Sequence, residues 1–164
     1  PYRRQRQMCI RDRFWFAFVY PNMSFIESGN SSIVMKKIRS SLVSGHIAFV
    51  YEDVCRERMW ELNGEDCWPF HFSKIGRWWD GKNEIDIAAI DPDGKNLILG
   101  ECKFWHEPVG VNIFNDLVEK SKSVTWKKAD RHTWYVLFSA EGFTDELKTL
   151  AQSRDDLLLF DDIN

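Results

Sequence analysis

The sequence predicts an α/β domain whose mixed central sheet is flanked by helices. Two strand-like segments rich in Ile, Leu and Ala lie on either side of the turn sequence Asp91-Pro92-Asp93-Gly94, which indicates a β-hairpin. After this hairpin, segments with helical spacing alternate with short apolar strands, and this alternation favours a mixed sheet with helices on both faces. The chain has 164 residues, of which 44% are hydrophobic and 15% aromatic, so it can bury a core.

The first predicted helix covers residues 44–62. Its apolar stripe Ile47-Val50-Val54 recurs near a 3.6-residue period, and Met59 continues it. Asn63-Gly64 then supplies a C-terminal stop.

The remaining elements follow in the order β, β, β, α, β, α, β. The predicted segments are strands at 68–79, 84–91 and 96–105, a helix at 111–124, a strand at 133–139, a helix at 144–152 with Thr144 as its N-cap, and a strand at 156–160.

The register of the hairpin decides which polar side chains meet. With a loop of residues 92–95, Asp86 lies directly opposite Glu101, about 5 Å away on the same face, and Lys103 shares that face by alternation. A one-residue change in loop length would place the two carboxylates on opposite faces. Adjacent carboxylates repel each other, and a hard divalent ion such as Mg²⁺ or Mn²⁺, with waters completing its shell, commonly compensates them. The alternative is a plain ion pair between Glu101 and Lys103 on a half-exposed strand.

Four stretches carry a family resemblance, namely residues 51–57, 75–79, 84–88 and 100–105. Asp86 followed by Glu101-x-Lys103 in consecutive strands resembles the PD-(D/E)XK nuclease superfamily. Together the stretches resemble the nuclease-like C-terminal domain, a domain of unknown function, of archaeal-type P-loop ATPases. The resemblance implies a restriction-endonuclease-like core, metal-dependent hydrolysis of nucleic-acid phosphodiesters, and as partners DNA together with upstream ATPase and winged-helix domains. The alternative function is a non-catalytic DNA-binding, regulatory or scaffolding domain.

The same resemblance implies a set of catalytic residues. Asp86 and Glu101 are expected to hold Mg²⁺ or Mn²⁺, with Glu52 of the first helix completing the shell, and Lys103 is expected to assist the attacking water. Glu52 lies off the predicted apolar stripe, so its alternative reading is a solvated helix charge beside Arg56 at i+4.

The charge of the chain gives limited support to a nucleic-acid partner. The formal net charge is −3, and it becomes −7 when the first 13 residues, with their five arginines and one aspartate, are left out. An acidic domain disfavours indiscriminate coating of DNA but leaves room for a local basic groove. Lys120 is the expected phosphate contact, and Arg77 and Trp79 are further expected contacts, although basic runs are more often solvated faces and tryptophans more often core.

Residues 1–13 are rich in arginine, fall outside the resemblance and are similar to translated adapter sequence, so we expect a non-native leader, with a basic nucleic-acid arm as the alternative. Residues 14–43 are predicted to be a helical linker from a missing upstream winged-helix or ATPase part, and residues 44–164 the nuclease-like domain. No apolar run approaches the length of a membrane span. The four cysteines form no C-x-x-C pair and no signal peptide is evident, so we expect a cytoplasmic protein. No glycine-rich P-loop occurs, so no ATP site is expected in this chain.

Overall fold

The computed structural model describes residues 12–42, 47–65 and 67–161. The chain divides into two compact units between Val50 and Tyr51. The described elements of the first unit are a π-helix Trp15–Val19, a 3-10 turn Tyr20–Asn22, and helices α1 Met23–Glu27 and α2 Ser31–Ser41. Its role as a linker stays a prediction. Nearly all of the predicted leader, and the predicted domain boundary between residues 43 and 44, lie outside the described residues.

The second unit has the predicted order of helices and strands. Its elements are α3 Ala48–Gly64, which spans the division, β1 Lys74–Trp79, β2 Glu84–Ile90, β3 Asn96–Lys103, α4 Val111–Ser121, β4 His132–Ser139, α5 Asp145–Gln152 and β5 Leu157–Phe160. The strands lie in the order β1-β2-β3-β4-β5. The first three strands are antiparallel, and β3, β4 and β5 are parallel. The mixed α/β sheet is therefore confirmed.

Helices cover both faces of this sheet. On one face α3 contributes to a core with Ile87 and Phe138, and on the other α4 and α5 contribute Leu117 and Leu147. Thr144 caps α5 as predicted, because its side chain accepts a hydrogen bond from the Leu147 N–H at 3.3 Å. In the described part of the chain, no helix is both long and apolar enough to cross a bilayer.

The buried stripe of α3 differs from the predicted one. Of the predicted stripe, Met59 is buried as expected, but Ile47, Val50 and Val54 are only partly buried. The buried stripe consists of Tyr51, Cys55, Met59 and Leu62. The two stripes are rotated by about one residue, or 100°, around the helix. A run with apolar residues on several sides does not reveal which side meets the sheet, since that depends on the partner surface.

Several predicted elements have other bounds than expected, among them the first helix, which ends at Gly64 rather than at Leu62. The first strand begins at Lys74 rather than at Trp68, because Pro69 has no N–H to donate and the main chain of Phe72 bonds to the side chain of Asn63. Asn63 accepts from the Phe72 N–H at 2.9 Å and donates to its carbonyl at 3.1 Å. Strand β3 ends at Lys103, and α4 ends at Ser121.

Candidate functional site

The register of the β2–β3 hairpin brings the two predicted carboxylates together. Ile87 pairs with Gly100, and the same register carried one residue further places Asp86 opposite Glu101, as the loop length predicted. Here the Asp86 side chain bonds to the main chain of β3, because its Oδ2 accepts a hydrogen bond from the Cys102 N–H at 2.9 Å. The carboxylate is thus held against the backbone of the neighbouring strand.

Asp91 fixes that register at the turn. Its Oδ1 accepts from the Lys95 N–H at 2.8 Å, and its Oδ2 accepts from the Asn96 N–H at 2.9 Å and from the Asn96 side-chain amide at 2.6 Å. Gly94 takes a left-handed conformation with φ of 71°, which suits glycine. Burial raises the pKa of Asp91, but these hydrogen bonds outweigh it and the pKa lies below its ordinary value.

A β-bulge in β2 presents Asp86 to the site. The register between β1 and β2 shifts by one residue, so that Asp86 and Ile87 both lie opposite Arg77. The alternation of side chains changes at the bulge, since Ile85 and Ile87 belong to cores on opposite faces. The Asp86 carbonyl accepts a hydrogen bond from Arg56 Nη1 of α3 at 3.0 Å. The helix therefore anchors the bulge that carries the carboxylate.

Glu101 has the most buried carboxyl side chain of the site, with 4% of it exposed. Its Oε2 pairs with Lys103, and its Oε1 accepts from Lys120 Nζ of α4 at 2.6 Å. Lys103 Nζ also lies 3.8 Å from Asp86 Oδ2. Lys103 consequently lies within ion-pair distance of both carboxylates, and each carboxylate oxygen of Glu101 has a lysine partner.

Burial and neighbouring charges shift the pKa values of the acidic and basic side chains of the site. Burial raises the pKa of Asp86 above its ordinary value, the Glu101 carboxylate raises it further, and the Cys102 N–H only partly opposes this. Burial lowers the pKa of Lys103, but the charge and hydrogen bond of Glu101 together with the charge of Asp86 outweigh that effect, so the pKa lies above its ordinary value. The surroundings therefore favour the charged form of Lys103 and disfavour the charged form of Asp86.

Glu52 lies near Asp86 but has arginine partners of its own. Its carboxylate pairs with Arg77 of β1 and lies 3.8 Å from Arg56 Nη1. Burial raises the pKa of Glu52, the charge of Asp86 adds to the effect, and Arg77 opposes it. The reading of Glu52 as a solvated charge is wrong, because the shifted stripe of α3 buries it. Its service as a third metal ligand stays a prediction.

The donor set suits a hard divalent cation. Asp86 and Glu101 offer carboxylate oxygens, and the raised pKa of Asp86 indicates negative charge that a cation would compensate. Among residues 12–42, 47–65 and 67–161, no group of three His, Cys, Asp or Glu side chains is arranged as a metal site. Mg²⁺ is often held by one or two carboxylates together with waters and substrate phosphates, so two such ligands fit it.

The predicted nucleic-acid contacts occupy three different settings. Lys120 is bound to Glu101, Arg77 pairs with Glu52 and also lies 3.2 Å from Glu84 Oε1, and Trp79 is 71% exposed at the end of β1. Only Trp79 presents a large open surface. The role of all three in nucleic-acid binding stays a prediction.

Two polar residues beside the site escaped the sequence analysis. Arg56 appeared only as a helical neighbour of Glu52, and nothing local indicates that it reaches the Asp86 carbonyl. Ser139 lies beside Lys103 in the parallel β3–β4 register, and its hydroxyl is buried without a hydrogen-bond partner in the described structure. Only the pairing of β3 with β4, which are separated along the chain by α4, brings Ser139 there.

This chain matches a protein family and is similar to a curated protein. A family described as archaea bacterial proteins of unknown function matches residues 15–123. An uncharacterized protein of Methanocaldococcus jannaschii, MJECL04, is 33% identical over 151 residues, which cover 90% of this chain and 31% of that protein. The chain thus spans about a third of the length of this relative.

Solved structures show partial similarity. A repair endonuclease from Pyrococcus abyssi is 16% identical with a TM-score of 0.39, over 64% of this chain and 45% of that one. The protein of unknown function AF1548 is 21% identical with a TM-score of 0.38, over 66% and 56%. The structure of a complex of EndoMS with double-stranded DNA is 15% identical with a TM-score of 0.36, over 63% and 44%.

Proposed function

We propose that this chain, which belongs to DUF234, the family of archaea bacterial proteins of unknown function, hydrolyses phosphodiester bonds of nucleic acids with the help of a divalent metal ion. The observation that carries the proposal is the group formed by Asp86, Glu101 and Lys103. The buried Glu101 carboxylate and the partly buried Asp86 carboxylate share the partly buried ammonium group of Lys103, at the place where the bulged strand β2 meets β3. A purely structural ion pair would need only one carboxylate, whereas here Asp86 lies 3.8 Å from the same ammonium group as a second carboxylate that can offer an oxygen to a metal ion.

The proposed cofactor is Mg²⁺ or Mn²⁺, held by Asp86 and Glu101 with Glu52 as a further acidic residue. Such an ion supplies Lewis-acid stabilisation of the charge on phosphoryl oxygens and makes a nearby water more acidic. The Cys102 N–H fixes one oxygen of Asp86, so that the other can face a ligand.

Lys103 is the proposed catalytic cation of the protein itself. Its ammonium is charged at neutral pH and is oriented by both carboxylates, so it can donate a hydrogen bond to a phosphate oxygen as negative charge develops there. The aromatic ring of Trp105 lies 5.9 Å from Lys103 Nζ and is partly exposed, which leaves a surface at which a base can stack. DNA is the proposed substrate, with Trp79 and Arg77 as further contacts.

Arg56 and Arg77 act on the acidic residues by holding them in place. Arg56 binds the Asp86 carbonyl, and Arg77 pairs with Glu52. Arg56 links α3 to β2, and Arg77 links β1 to α3. We propose that they keep Glu52 and Asp86 at a constant separation.

We further propose that the domain operates within a longer P-loop ATPase that also carries a winged-helix domain. This chain corresponds to 31% of its curated relative, which leaves room for such parts. The intact protein would then couple nucleotide hydrolysis to delivery of the nucleic acid.

The first experiment is cleavage of labelled single- and double-stranded DNA and RNA by the full chain with Mg²⁺, Mn²⁺ or EDTA. Lys103→Ala and Asp86→Ala are expected to lose the metal-dependent cleavage. Lys122→Ala is a matched control, because Lys122 is largely exposed and pairs with Glu119 rather than with the site. Cleavage that persists in EDTA, or in both site variants, would refute the assignment.

A second candidate function is a non-catalytic DNA-binding or scaffolding domain. The observation that favours it is that both oxygens of Glu101 already have lysine partners. A folded wild-type chain that binds DNA equally well with Mg²⁺ and with EDTA, and cleaves in neither, would support this function.

A further inference from the structure

We propose that Lys120 is a built-in counter-ion that competes with the divalent cation for Glu101 and must leave Glu101 for the cation to bind tightly. The inference rests on the proposed function, since it concerns the same site. It assigns Lys120 a role in controlling metal occupancy in place of the expected simple phosphate contact.

The two lysines on Glu101 are not equivalent. Lys103 comes from the same strand, has 19% of its side chain exposed, and also lies 3.8 Å from Asp86. Lys120 comes from the last turn of α4 and has 31% of its side chain exposed. Among the described residues, Lys120 makes one ion pair, the one with Glu101. Lys103 is therefore tied to the site by two carboxylates and Lys120 by one.

An ammonium and a divalent ion on one buried carboxylate repel each other. Lys120 Nζ is 2.6 Å from Glu101 Oε1, and a cation bound to the same carboxylate would lie at a comparable distance. Because the carboxylate is 4% exposed, water screens this repulsion weakly. Metal binding therefore favours departure of the less constrained lysine, which is Lys120.

A cleft beside Lys120 can accommodate its side chain when it leaves Glu101. A surface cleft of about 440 Å³ lies beside it and is lined by Asn83, Asp116, Glu119, Lys120 and Ser123. Asp116 is four residues before Lys120 on α4, at the spacing that allows a helical ion pair. The released ammonium consequently gains a new acidic neighbour and stays near the site.

In the metal-free protein, Lys120 has the opposite effect and stabilises the fold. A buried carboxylate without sufficient cationic partners is strongly destabilising. Lys103 is shared with Asp86, so Lys120 supplies the second positive charge that Glu101 and Asp86 need. Lys120 thus stabilises the metal-free protein and weakens the affinity of the site for metal.

The test measures Mn²⁺ binding to the intact chain by the electron paramagnetic resonance of free Mn²⁺, without substrate. Lys120→Ala is expected to bind Mn²⁺ about tenfold more tightly than wild type, the scale of one charge-assisted hydrogen bond. Lys120→Arg keeps the positive charge and is expected to bind as wild type does. Lys122→Ala removes the same charge from the same helix end, where Lys122 is 63% exposed and pairs with Glu119, and is expected to leave the affinity unchanged.

Thermal unfolding provides a second readout that a merely structural role would not produce. Lys120→Ala is expected to melt below wild type in EDTA and to gain more than wild type does from saturating Mn²⁺. A variant that only loosened the fold would melt lower in both conditions and would not bind metal more tightly.

The outcomes separate this inference from the proposed function. If wild type binds Mn²⁺ through Asp86, as judged by loss of binding in Asp86→Ala, and Lys120→Ala binds it equally or more weakly, the inference is overturned and the metal site stands. If neither wild type nor Lys120→Ala binds Mn²⁺, the inference is overturned, and the cleavage assay with substrate decides the proposed activity separately.

Discussion

Substituting Gly100 by alanine tests how tightly packing fixes the candidate site. Gly100 lies in β3 between Ile87 of β2 and Val136 of β4, and it directly precedes Glu101. A Cβ at this position would overlap Val136 Cγ1, and would lie 2.9 Å from the Val136 carbonyl oxygen and 3.2 Å from Ile87 Cβ. Rotation of the valine side chain relieves the first of these contacts only. The clash with the carbonyl oxygen requires β3 and β4 to separate.

The size of the effect follows from two opposing terms. Overpacking a core by a methyl group costs about 1–3 kcal/mol, and a clash with main chain belongs at the upper end. Replacing glycine by alanine in an extended strand returns roughly 0.4–1 kcal/mol through the unfolded chain. We therefore expect Gly100→Ala to lower the free energy of unfolding by about 2 kcal/mol.

The assay is urea denaturation of the intact chain with a matched glycine. Gly76 of β1 has no atom within 4 Å of its would-be Cβ, so Gly76→Ala is expected to be neutral or slightly stabilising. Val136→Ala removes the overlapping methyl group, so the double variant Gly100→Ala with Val136→Ala should be more stable than the two single effects predict, by about 1 kcal/mol. Equal unfolding free energies for Gly100→Ala and Gly76→Ala would refute the reasoning.

Three further predictions concern charge, capping and the bulge. Because the pKa of Asp86 is raised in the folded protein, stability that is present at low pH is lost as the pH rises through that folded-state pKa. Asp86→Asn should therefore raise the free energy of unfolding in EDTA at pH 7, and should raise it less at pH ~4. A lower free energy of unfolding at pH 7 would show that the pairing of Asp86 with Lys103 dominates instead. Thr144→Ala should lower the free energy of unfolding by about 1 kcal/mol because α5 loses its cap, whereas Thr144→Ser should change it little, and urea titration measures both. Arg56→Gln should lower kcat/KM for metal-dependent cleavage roughly tenfold, because the Asp86 carbonyl loses its charged donor, while Arg58→Gln, which pairs only with exposed glutamates in the described structure, should leave kcat/KM near wild type.

The order of elements and the hairpin register were predictable because their causes are local. Turn chemistry at Asp91 and Gly94 sets the length of the loop, and counting along two strands from a known loop places Asp86 opposite Glu101. The alternation of helices and strands likewise predicted the mixed sheet, and a threonine at the start of a helical segment predicted the cap at Thr144. Each of these depends on residues a few positions apart.

The tertiary structure alone decided how the site is completed. The rotation of α3 that buries Glu52, the bulge that sets Asp86 opposite Arg77, and the contact of Lys120 with Glu101 each depend on how separate elements pack together. Periodicity shows that a helix has an apolar side but not how that side turns against a sheet, and a charged side chain shows its partner only when the partner is in place. The sequence by itself determined the carboxylate pair and its lysine, because strand geometry is regular. Packing between elements determined how deeply these side chains are buried, which second lysine reaches Glu101, and which arginines contact Asp86 and Glu52.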